Sequence, residues 1–334
     1  MRAFVINGPG RAEVIEVDPP VAGPGEVVVD VERAGVCGTD MEFFTGDMSY
    51  LATGEAAYPM RIGHEWSGVV AHVGPLVDPS WLGARVTGDT MLGCGHCARC
   101  TGGRQHLCAD RHEIGIRNGW PGALAAQVPV PVKALYRLPD TVDATLGALV
   151  EPGGNALRAV QATGAGPGRD LLIMGPGTIG LLAAMFARAR GARVHLLGAT
   201  ESSLKFAASL GFTEAWTRET LPEMPFDAIL DASNAPGLPA FAVERVEPGG
   251  RIVYIGISGE PSLIDTRRVV LKDLTVVGIL SGSPIVSETI EAYASGAVDP
   301  RPLVDATVGL SSAADVLSGA LRGVAPKIHI DPRK

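Results

Sequence analysis

The sequence lacks three features that would place it in other classes of protein. It has no basic excess, since 28 Lys and Arg residues stand against 36 Asp and Glu residues and the formal net charge is −8. Nucleic-acid recognition usually needs a basic face, so we expect no nucleic-acid partner. No apolar run approaches the roughly 20 residues that a membrane-spanning helix needs. The N-terminal residues MRAFVINGPGRAEV lack the charged-then-apolar pattern of a secretory signal. A cytoplasmic location is therefore expected.

Cysteine is also scarce, and its distribution is uneven. Four of the five cysteines form a C-x2-C-x2-C-x7-C motif, at Cys94, Cys97, Cys100 and Cys108. This spacing lets four thiolates converge on one tetrahedral ion and predicts a structural zinc site. A disulfide framework is the alternative, but such frameworks belong mainly to small secreted domains. Because the motif uses four cysteines, only Cys37 is left for a second metal site, whose other ligands must be histidines or carboxylates.

The arrangement of apolar runs predicts an α/β protein of two domains. Residues 1–150 contain short β-like runs between glycines and prolines, which indicate a β-rich domain. Residues 151–283 alternate strands with helices as in a doubly wound parallel sheet, and residues 284–334 add two helical stretches and a strand. The strands predicted for the middle part are Asp170–Met174, Arg193–Leu197, Ala215–Thr217, Asp227–Asp231, Arg251–Ile255 and Leu274–Ile279. Its predicted helices are Thr178–Arg190, Ser202–Leu210 and Leu238–Val246.

A glycine-rich motif follows the first of these strands and opens a helix. It reads G-x-G-x-x-G, with glycines at Gly175, Gly177 and Gly180 and with Thr178 and Ile179 between the last two. A strand before the motif and a helix after it are the context of a dinucleotide-binding loop. The glycines permit the tight turn, the approach of a pyrophosphate and close helix–strand packing, while the helix N-terminus favours the phosphates. The motif predicts a nicotinamide dinucleotide cofactor.

The end of the second predicted strand bears on the choice between NAD and NADP. NAD sites usually place a carboxylate there for the ribose 2′-hydroxyl. Here the strand ends Leu-Leu-Gly-Ala-Thr at positions 196–200, and Glu201 lies slightly beyond that point. This favours NADP. Gly198 marks the strand end, and the residues that could bind a 2′-phosphate are Thr200, Ser202, Lys205 and Arg218.

Five motifs occur together in one order: Cys37 in CGTD, His64 in GHE, the four-cysteine lobe, Glu151 in an EP dipeptide, and the dinucleotide loop. In this the chain resembles the zinc-dependent medium-chain dehydrogenase/reductase superfamily over nearly its whole length. The resemblance implies that Cys37 and His64 ligate a catalytic zinc. In the polyol, sugar and threonine dehydrogenase branch the third ligand is the glutamate of EP, here Glu151. Glu65 would lie beside the metal and could exchange with water or substrate as a ligand of the catalytic zinc.

The resemblance also implies a mechanism. A zinc site with three protein ligands keeps an open position, where an alcohol oxygen becomes acidic and hydride can pass to the nicotinamide. Thr39 matches the relay hydroxyl of the family, and Lys327 matches a late basic residue near the cofactor. Glu42 stands where this branch often has a histidine. Either the proton leaves by another path, or Glu42 contacts the cofactor ribose or the substrate.

The expected fold is a GroES-like catalytic domain at 1–150 with the structural-zinc lobe at 93–108, a Rossmann domain at 151–283, and a return to the catalytic domain at 284–334. Two zinc ions per chain are expected, with a homodimer or homotetramer paired through the strand Leu274–Ile279. The expected reaction converts a secondary alcohol, a polyol, sugar or related metabolite, into a ketone. A threonine-type or simple secondary-alcohol dehydrogenase is the alternative. A zinc-independent reductase, which would lack the lobe, and a non-catalytic cofactor-binding protein are less favoured.

Overall fold

The computed structural model describes residues 1–334 and divides them into two compact units. The first comprises Met1–Glu151 and Val286–Lys334, and the second comprises Pro152–Ile285. The sequence analysis set these boundaries at 150 and 283. The first unit is therefore discontinuous in sequence, with the second inserted into it.

The helices and strands are numbered here in chain order. Before the second unit come β1 Arg2–Gly8, β2 Arg11–Glu16, β3 Glu26–Gly35, α1 Gly38–Thr45, α2 Ser49–Thr53, β4 Glu65–Val73, β5 Arg85–Gly88, β6 Met91–Leu92, α3 Ala98–Thr101, β7 His112–Glu113, β8 Gln127–Pro131, β9 Leu135–Arg137, α4 Ala144–Ala148 and the start of α5 Val150–Thr163. The second unit holds β10 Asp170–Met174, α6 Thr178–Ala189, β11 Arg193–Leu197, α7 Glu201–Ser209, β12 Ala215–Trp216, β13 Phe226–Asp231, α8 Leu238–Arg245, β14 Val246–Tyr254, α9 Thr266–Leu271 and β15 Thr275–Gly278. The chain closes with α10 Val286–Ala294, β16 Val304–Gly309, α11 Ala313–Leu317 and β17 Lys327–Asp331.

The first unit is built on a seven-stranded sheet in the order β16-β17-β3-β4-β5-β9, with β8 also paired to β3. Strand β3 fully buries Val27, Val28, Val29 and Val31, and three of them, Val27, Val29 and Val31, belong to the main core. Only its second half, where Asp30 and Glu32 flank Val31, shows the period-two pattern of a strand that buries one face. The last strand of the chain, β17, lies inside the sheet beside β3, so the sheet joins the two ends of the unit.

The second unit is a six-stranded parallel sheet in the order β12-β11-β10-β13-β14-β15. Its strand β10 is an apolar run, Leu171–Met174, whose residues are all buried, as expected for a central parallel strand. The strand order reverses between β10 and β13, the place where ligands bind in doubly wound sheets. This sheet has the doubly wound parallel arrangement that the sequence predicted for residues 151–283.

Several elements differ from the predicted bounds. Strand β14 begins at Val246, several residues before the predicted start, because a register irregularity lets it pair with the first residue of β13. Helices α5 and α9 were not predicted. Helix α5 was missed because the Pro and Gly residues near its start have low helix propensity and weaken its helical sequence pattern. None of the helices is both long and apolar enough to cross a bilayer.

Candidate active site

The dinucleotide loop follows β10 directly. Gly175 has φ +94°, a left-handed conformation that favours glycine. A Cβ on Gly180 would lie 1.9 Å from the Gly175 carbonyl oxygen, so this glycine allows α6 to pack against the turn. A Cβ on Gly177 would meet nothing within 4 Å, which leaves the backbone open to an approaching group. Thr178 and Ile179 lie in the first turn of α6, where free N–H groups favour an anion.

The predicted ribose site lies at the end of β11, next to α7. A Cβ on Gly198 would lie 2.8 Å from Leu204, so a side chain there would push against α7. Thr200 caps α7, because its hydroxyl accepts a hydrogen bond from the Ser203 N–H at 3.3 Å. The Thr200 hydroxyl is therefore held at the N-terminus of α7.

The two basic residues predicted to bind a 2′-phosphate have partners in the structure. Lys205 is exposed and forms an ion pair with Glu201 at 2.7 Å. The guanidinium of Arg218 lies 4.8 Å from the centre of the Phe241 ring. Exposed ion pairs of this kind are weak, so Lys205 is free to exchange partners. The roles of both residues at a cofactor stay predictions.

The four-cysteine lobe has the geometry of a metal site. All four sulfur atoms lie within 4.8 Å of one another. The Cys94–Cys100 and Cys97–Cys108 sulfur pairs are 3.9 and 3.8 Å apart, far beyond a disulfide bond of about 2.05 Å. A tetrahedral ion with metal–sulfur bonds of about 2.3 Å needs sulfur separations of about 3.8 Å. The donor set therefore fits zinc.

The backbone of the lobe also prepares these thiols to bind a cation. Hydrogen bonds from backbone N–H groups, that of Cys100 first, lower the pKa of Cys97 to about 6. Burial raises the pKa of Cys100 to about 11, an effect that a bound cation would reverse. A Cβ on Gly93 would lie 2.6 Å from the Cys100 sulfur, so this glycine leaves room for the sulfur cluster.

A second cluster lies at one end of β3 and β4. Cys37 follows β3 and precedes α1, while His64 and Glu65 lie at the start of β4. The antiparallel register places Gly35 opposite Glu65, and this brings the segments carrying Cys37 and His64 together. The Cys37 sulfur lies 3.0 Å from His64 Nε2, and the donor atoms of all three residues lie within 4.8 Å of one another. Soft and borderline donors in this combination suit zinc.

Asp40 contacts both segments that form this cluster. Its carboxylate is fully buried and accepts the N–H groups of Cys37 at 3.0 Å and of Gly63 at 3.3 Å. One of its oxygens lies 3.5 Å from His64 Nδ1. Burial by itself would lower the pKa of His64, but the Cys37 sulfur and the Asp40 carboxylate raise it well above its usual value. The cluster thus attracts positive charge, and a metal cation would take the place of that proton.

Glu65 is held by a basic residue from the end of the chain. The Lys327 Nζ donates to both Glu65 carboxylate oxygens, at 2.8 and 2.7 Å, and to the Val36 carbonyl at 2.8 Å. Both side chains are only 2% exposed. Burial alone would lower the pKa of the Lys327 amine, but the Glu65 carboxylate beside it raises that pKa. Sequence reasoning placed Lys327 near the cofactor and missed this pair; the cofactor contact stays a prediction.

The remaining predicted residues lie at several positions. Thr39 is half-buried in the first turn of α1, between Cys37 and Asp40. Glu42, on the same helix, has its pKa raised by partial burial and by Asp47. Glu151 is half-buried in the first turn of α5, but it is not in the close group formed by Cys37, His64 and Glu65. Its role as third ligand stays a prediction.

Sequence reasoning also missed Tyr293. This residue of α10 is 3% exposed, and its hydroxyl donates to the Leu149 carbonyl at 3.1 Å. Burial, followed by the charge of Glu65, raises the pKa of its hydroxyl. The phenol thus stays protonated near the buried cluster. Nothing in the local sequence around Tyr293 marks it, because its neighbours come from distant parts of the chain.

A doubly wound unit with a G-x-G-x-x-G loop, in one chain with a β unit that carries a four-cysteine cluster and a Cys–His–Glu cluster, is the combination expected of a zinc-type dehydrogenase. Comparison with known proteins agrees. Residues 23–140 match the alcohol dehydrogenase GroES-like domain, and residues 178–296 match the zinc-binding dehydrogenase domain. Similar curated proteins include the L-threonine 3-dehydrogenases of Deinococcus radiodurans, 31% identical over 99% of this chain and 98% of that protein, and of Saccharopolyspora erythraea, 35% identical over 84% and 83%.

Solved structures give the same result. An alcohol dehydrogenase from Escherichia coli CFT073 complexed with NADH superposes with a TM-score of 0.91 at 26% identity. A zinc-binding dehydrogenase from Sinorhizobium meliloti bound to NADP gives 0.90 at 28%, and 2R,3R-butanediol dehydrogenase from Bacillus subtilis gives 0.87 at 25%. Each alignment covers 99% of both chains. The chain belongs to the zinc-dependent medium-chain dehydrogenase/reductase superfamily. It is an NAD(P)-dependent oxidoreductase that acts on alcohols, as the sequence analysis predicted.

Proposed function

We propose that the chain oxidises a small secondary alcohol to a ketone at a zinc ion held by Cys37, His64 and an acidic residue. The observation that supports this most directly is the close cluster of Cys37, His64 and Glu65, in which Cys37 is half-buried and the other two residues are buried, separate from the four-cysteine lobe. A metal site with three or fewer protein donors leaves a coordination position open for the substrate. The four sulfurs of the lobe, by contrast, complete a structural site.

The protein residues have distinct roles in this proposal. Zinc, when bound, supplies a Lewis acid for the substrate oxygen, and the nicotinamide supplies the hydride acceptor. Cys37 and His64 bind the metal, and Asp40 orients the two segments that carry them through its hydrogen bonds to the N–H groups of Cys37 and Gly63. Thr39 carries the hydroxyl proton away from the substrate oxygen. Glu151, half-buried at the start of α5, is the further acidic ligand. The lobe residues Cys94, Cys97, Cys100 and Cys108 hold a second zinc that stabilises the fold.

Two substrate classes have support. L-Threonine is supported by the curated relatives, which are named L-threonine 3-dehydrogenase and match most of the chain. A polyol or sugar, the class favoured by the sequence, is supported by structural neighbours such as butanediol dehydrogenase. Both substrates are secondary alcohols with a polar group on the adjacent carbon. We place threonine and vicinal diols first in any assay.

NADP is the proposed cofactor in preference to NAD. The supporting feature is the end of β11, where positions 198–200 carry no carboxylate to repel a 2′-phosphate. Thr200, Lys205 and Arg218 are the proposed contacts. The free thiols fit a reducing compartment, and we place the protein in the cytoplasm.

The proposed assembly is a homodimer, or a tetramer built from such dimers, paired through β15. This strand lies at the edge of its sheet, with one neighbour only. Exposed edges with apolar surroundings are sites of strand pairing. Large apolar residues are exposed on this strand and in the segments directly before and after it in sequence, namely Val270, Leu271, Val276 and Leu280. Sedimentation velocity tests this, and a monomer at micromolar concentration would contradict it.

One experiment tests the main proposal. Purified protein is analysed for zinc and assayed with NAD and NADP against L-threonine, 2,3-butanediol, sorbitol and 2-butanol. The proposal expects about two zinc ions per chain and a ketone product with NADP. One zinc ion bound only by the lobe, together with no turnover on any alcohol, would refute it.

A further inference from the structure

The short helix α2, Ser49–Thr53, lies on the stretch of chain that joins the two proposed metal ligands Cys37 and His64. None of its residues is fully buried, although Tyr50 and Leu51 pack against the main core while half-buried. A single helical turn of this length is not stable by itself in water. The position of α2 therefore depends on its contacts with other parts of the chain.

The segment that follows the four-cysteine lobe holds α2 with two arginines. The Nη2 of Arg111 donates to the Tyr50 hydroxyl at 3.4 Å. The guanidinium of Arg117 lies 5.6 Å from the centre of the Tyr50 ring, and it forms an ion pair with Glu55, just after the helix. The N–H of Asn118 donates to the Glu55 carbonyl at 2.8 Å. This segment thus holds both the Tyr50 side chain and the chain just beyond α2.

Arg111 also ties α2 to the lobe. Its Nη1 donates to the carbonyl of Cys108, the last of the four cysteines, at 3.3 Å, and its Nε donates to a carboxylate oxygen of Glu113 at 2.7 Å. The Arg111 side chain is 13% exposed and that of Glu113 is 4% exposed, so water competes little for these bonds. Three nitrogens of one rigid guanidinium therefore connect α2, the end of the lobe and β7.

The lobe is closed by a short ladder and by its cysteines. The ladder between β6 and β7 pairs only Met91 with Glu113 and Leu92 with His112. The four lobe cysteines form no disulfide, and their sulfurs have the separations of a tetrahedral zinc site. Because the folding of such a segment is coupled to metal binding, loss of the ion would loosen the Cys108 carbonyl and β7. These are the parts of the chain that hold Arg111 in place.

We propose that Arg111 is a positioning residue that couples the metal-bound lobe to α2, and so to the stretch of chain between Cys37 and His64. With the lobe loaded, its last cysteine and β7 hold the guanidinium at the Tyr50 hydroxyl. Without the lobe metal, the guanidinium loses its fixed place and α2 opens more often. The inference rests on the proposed function, because it treats the lobe and the Cys37 cluster as two separate metal sites.

Hydrogen exchange at residues 51–56, measured by mass spectrometry on the zinc-loaded protein, tests the coupling. The N–H groups of Glu55 and Ala56 both donate to the Tyr50 carbonyl, so their exchange reports on the position of α2. Arg111→Met removes the donors and is expected to retain two zinc ions. Its exchange at 51–56 should be at least about tenfold faster than in the wild type, as expected for the loss of hydrogen bonds from a charged group.

Cys100→Ser, which empties the lobe, should accelerate exchange at 51–56 by a similar factor. In the double variant with Arg111→Met the two effects should not multiply, because both act through the same guanidinium. Arg137→Met is the matched control and should leave exchange at 51–56 unchanged. Arg137 belongs to the same unit and also lies against an aromatic ring, that of Trp81, at 4.3 Å.

The inference is overturned by a wild-type exchange rate at 51–56 in either single variant, or by effects that multiply in the double variant. Tyr50→Phe covers the case in which Arg111→Met does not fold, because it removes only the hydroxyl that accepts from Arg111. Cys100→Ser should then accelerate exchange less in the Tyr50→Phe background than in the wild type, and equal acceleration also overturns the inference.

These readouts need no turnover, so the inference and the proposed function can fail separately. A wild type that binds two zinc ions and oxidises an alcohol keeps the proposed function, whatever the exchange rates show. A wild type that has zinc in the lobe but none at Cys37 refutes the function, while the exchange rates still decide whether Arg111 couples the lobe to α2.

Discussion

Gly35 lies directly opposite Glu65 across strands β3 and β4, and a single added carbon at Gly35 would collide with the Glu65 carboxylate at 2.0 Å. The absence of a side chain on one strand is therefore what admits the charged side chain of its neighbour. This relationship makes Gly35 a part of the candidate active site, although it carries no chemical group of its own.

Gly35→Ala is expected to displace the Glu65 carboxylate and to lower kcat by about 10- to 100-fold, the usual range for a disturbed neighbour of a metal ligand. The three atoms nearest to the new methyl group all belong to the Glu65 side chain. Steady-state kinetics and thermal unfolding measure the effect. Gly166→Ala is the control, because a Cβ there would meet nothing within 4 Å. Equal kcat values for both variants would contradict the prediction.

Cys37→Ser is expected to lose one of two zinc ions and to reduce turnover at least about a hundredfold, because the metal supplies several kcal/mol of stabilisation to the reacting oxygen. Binding of NADP should be largely unchanged, since the dinucleotide loop belongs to the second unit. Zinc analysis and fluorescence titration with NADPH separate the two effects. A variant that retains both zinc ions and its activity would remove Cys37 from the metal site.

Cys100→Ser is expected to empty the lobe and leave the Cys37 centre loaded. Structural zinc contributes on the order of 10 kcal/mol to the folding of the segment that binds it, so amides at 93–108 should lose hydrogen-exchange protection. Exchange measured by mass spectrometry localises the change. Protection that persists throughout the lobe after loss of one zinc ion would show that the lobe folds without metal.

His329 is expected to make stability depend on pH. Its ring is fully buried, neither ring nitrogen has a hydrogen-bond partner, and burial, followed by the charges of Lys327 and Arg33, lowers its pKa to about 3. Between about pH 6.5 and that value the unfolded chain binds a proton that the folded chain refuses. The free energy of unfolding therefore falls as the pH falls, by up to about 1.4 kcal/mol per pH unit from this group.

The variant that checks this is His329→Leu, which removes the titrating ring and fills the same buried position. Its denaturant unfolding curves at pH 7 and pH 5 should differ less than those of the wild type. At pH 5 it should be the more stable protein, because two unpaired polar atoms have been removed. An identical pH dependence in the two proteins would mean that His329 has a buried partner in solution.

The features that sequence could predict are local ones. The lobe cysteines and the glycines of the dinucleotide loop lie within short segments, so their spacing alone carries the chemistry. The resemblance to a known superfamily then predicted that Cys37 and His64 share one metal site. The strands of the parallel sheet were also predictable, because their apolar runs are short, regular and bounded by turns.

The features that sequence could not predict depend on strand register. The pairing of Glu65 with Lys327 needs β17 to lie beside β3, and no local pattern reveals that neighbour. The role of Gly35 follows from its position opposite Glu65 and not from its own sequence context. Helix α5 was missed because its first turn contains proline and glycine, which weaken a helical pattern although the rest of the helix is amphipathic.

The place of β17 within the central sheet has a consequence for biosynthesis. Glu65 and Lys327 are separated by 262 positions along the chain. During translation the second unit emerges as one continuous stretch and can fold while the first unit still lacks an internal strand. Throughout that interval, Glu65 lacks the ammonium group that later pairs with it. A chain that stops short of β17 is therefore expected to lack both an internal strand of this sheet and the counter-charge of a buried carboxylate.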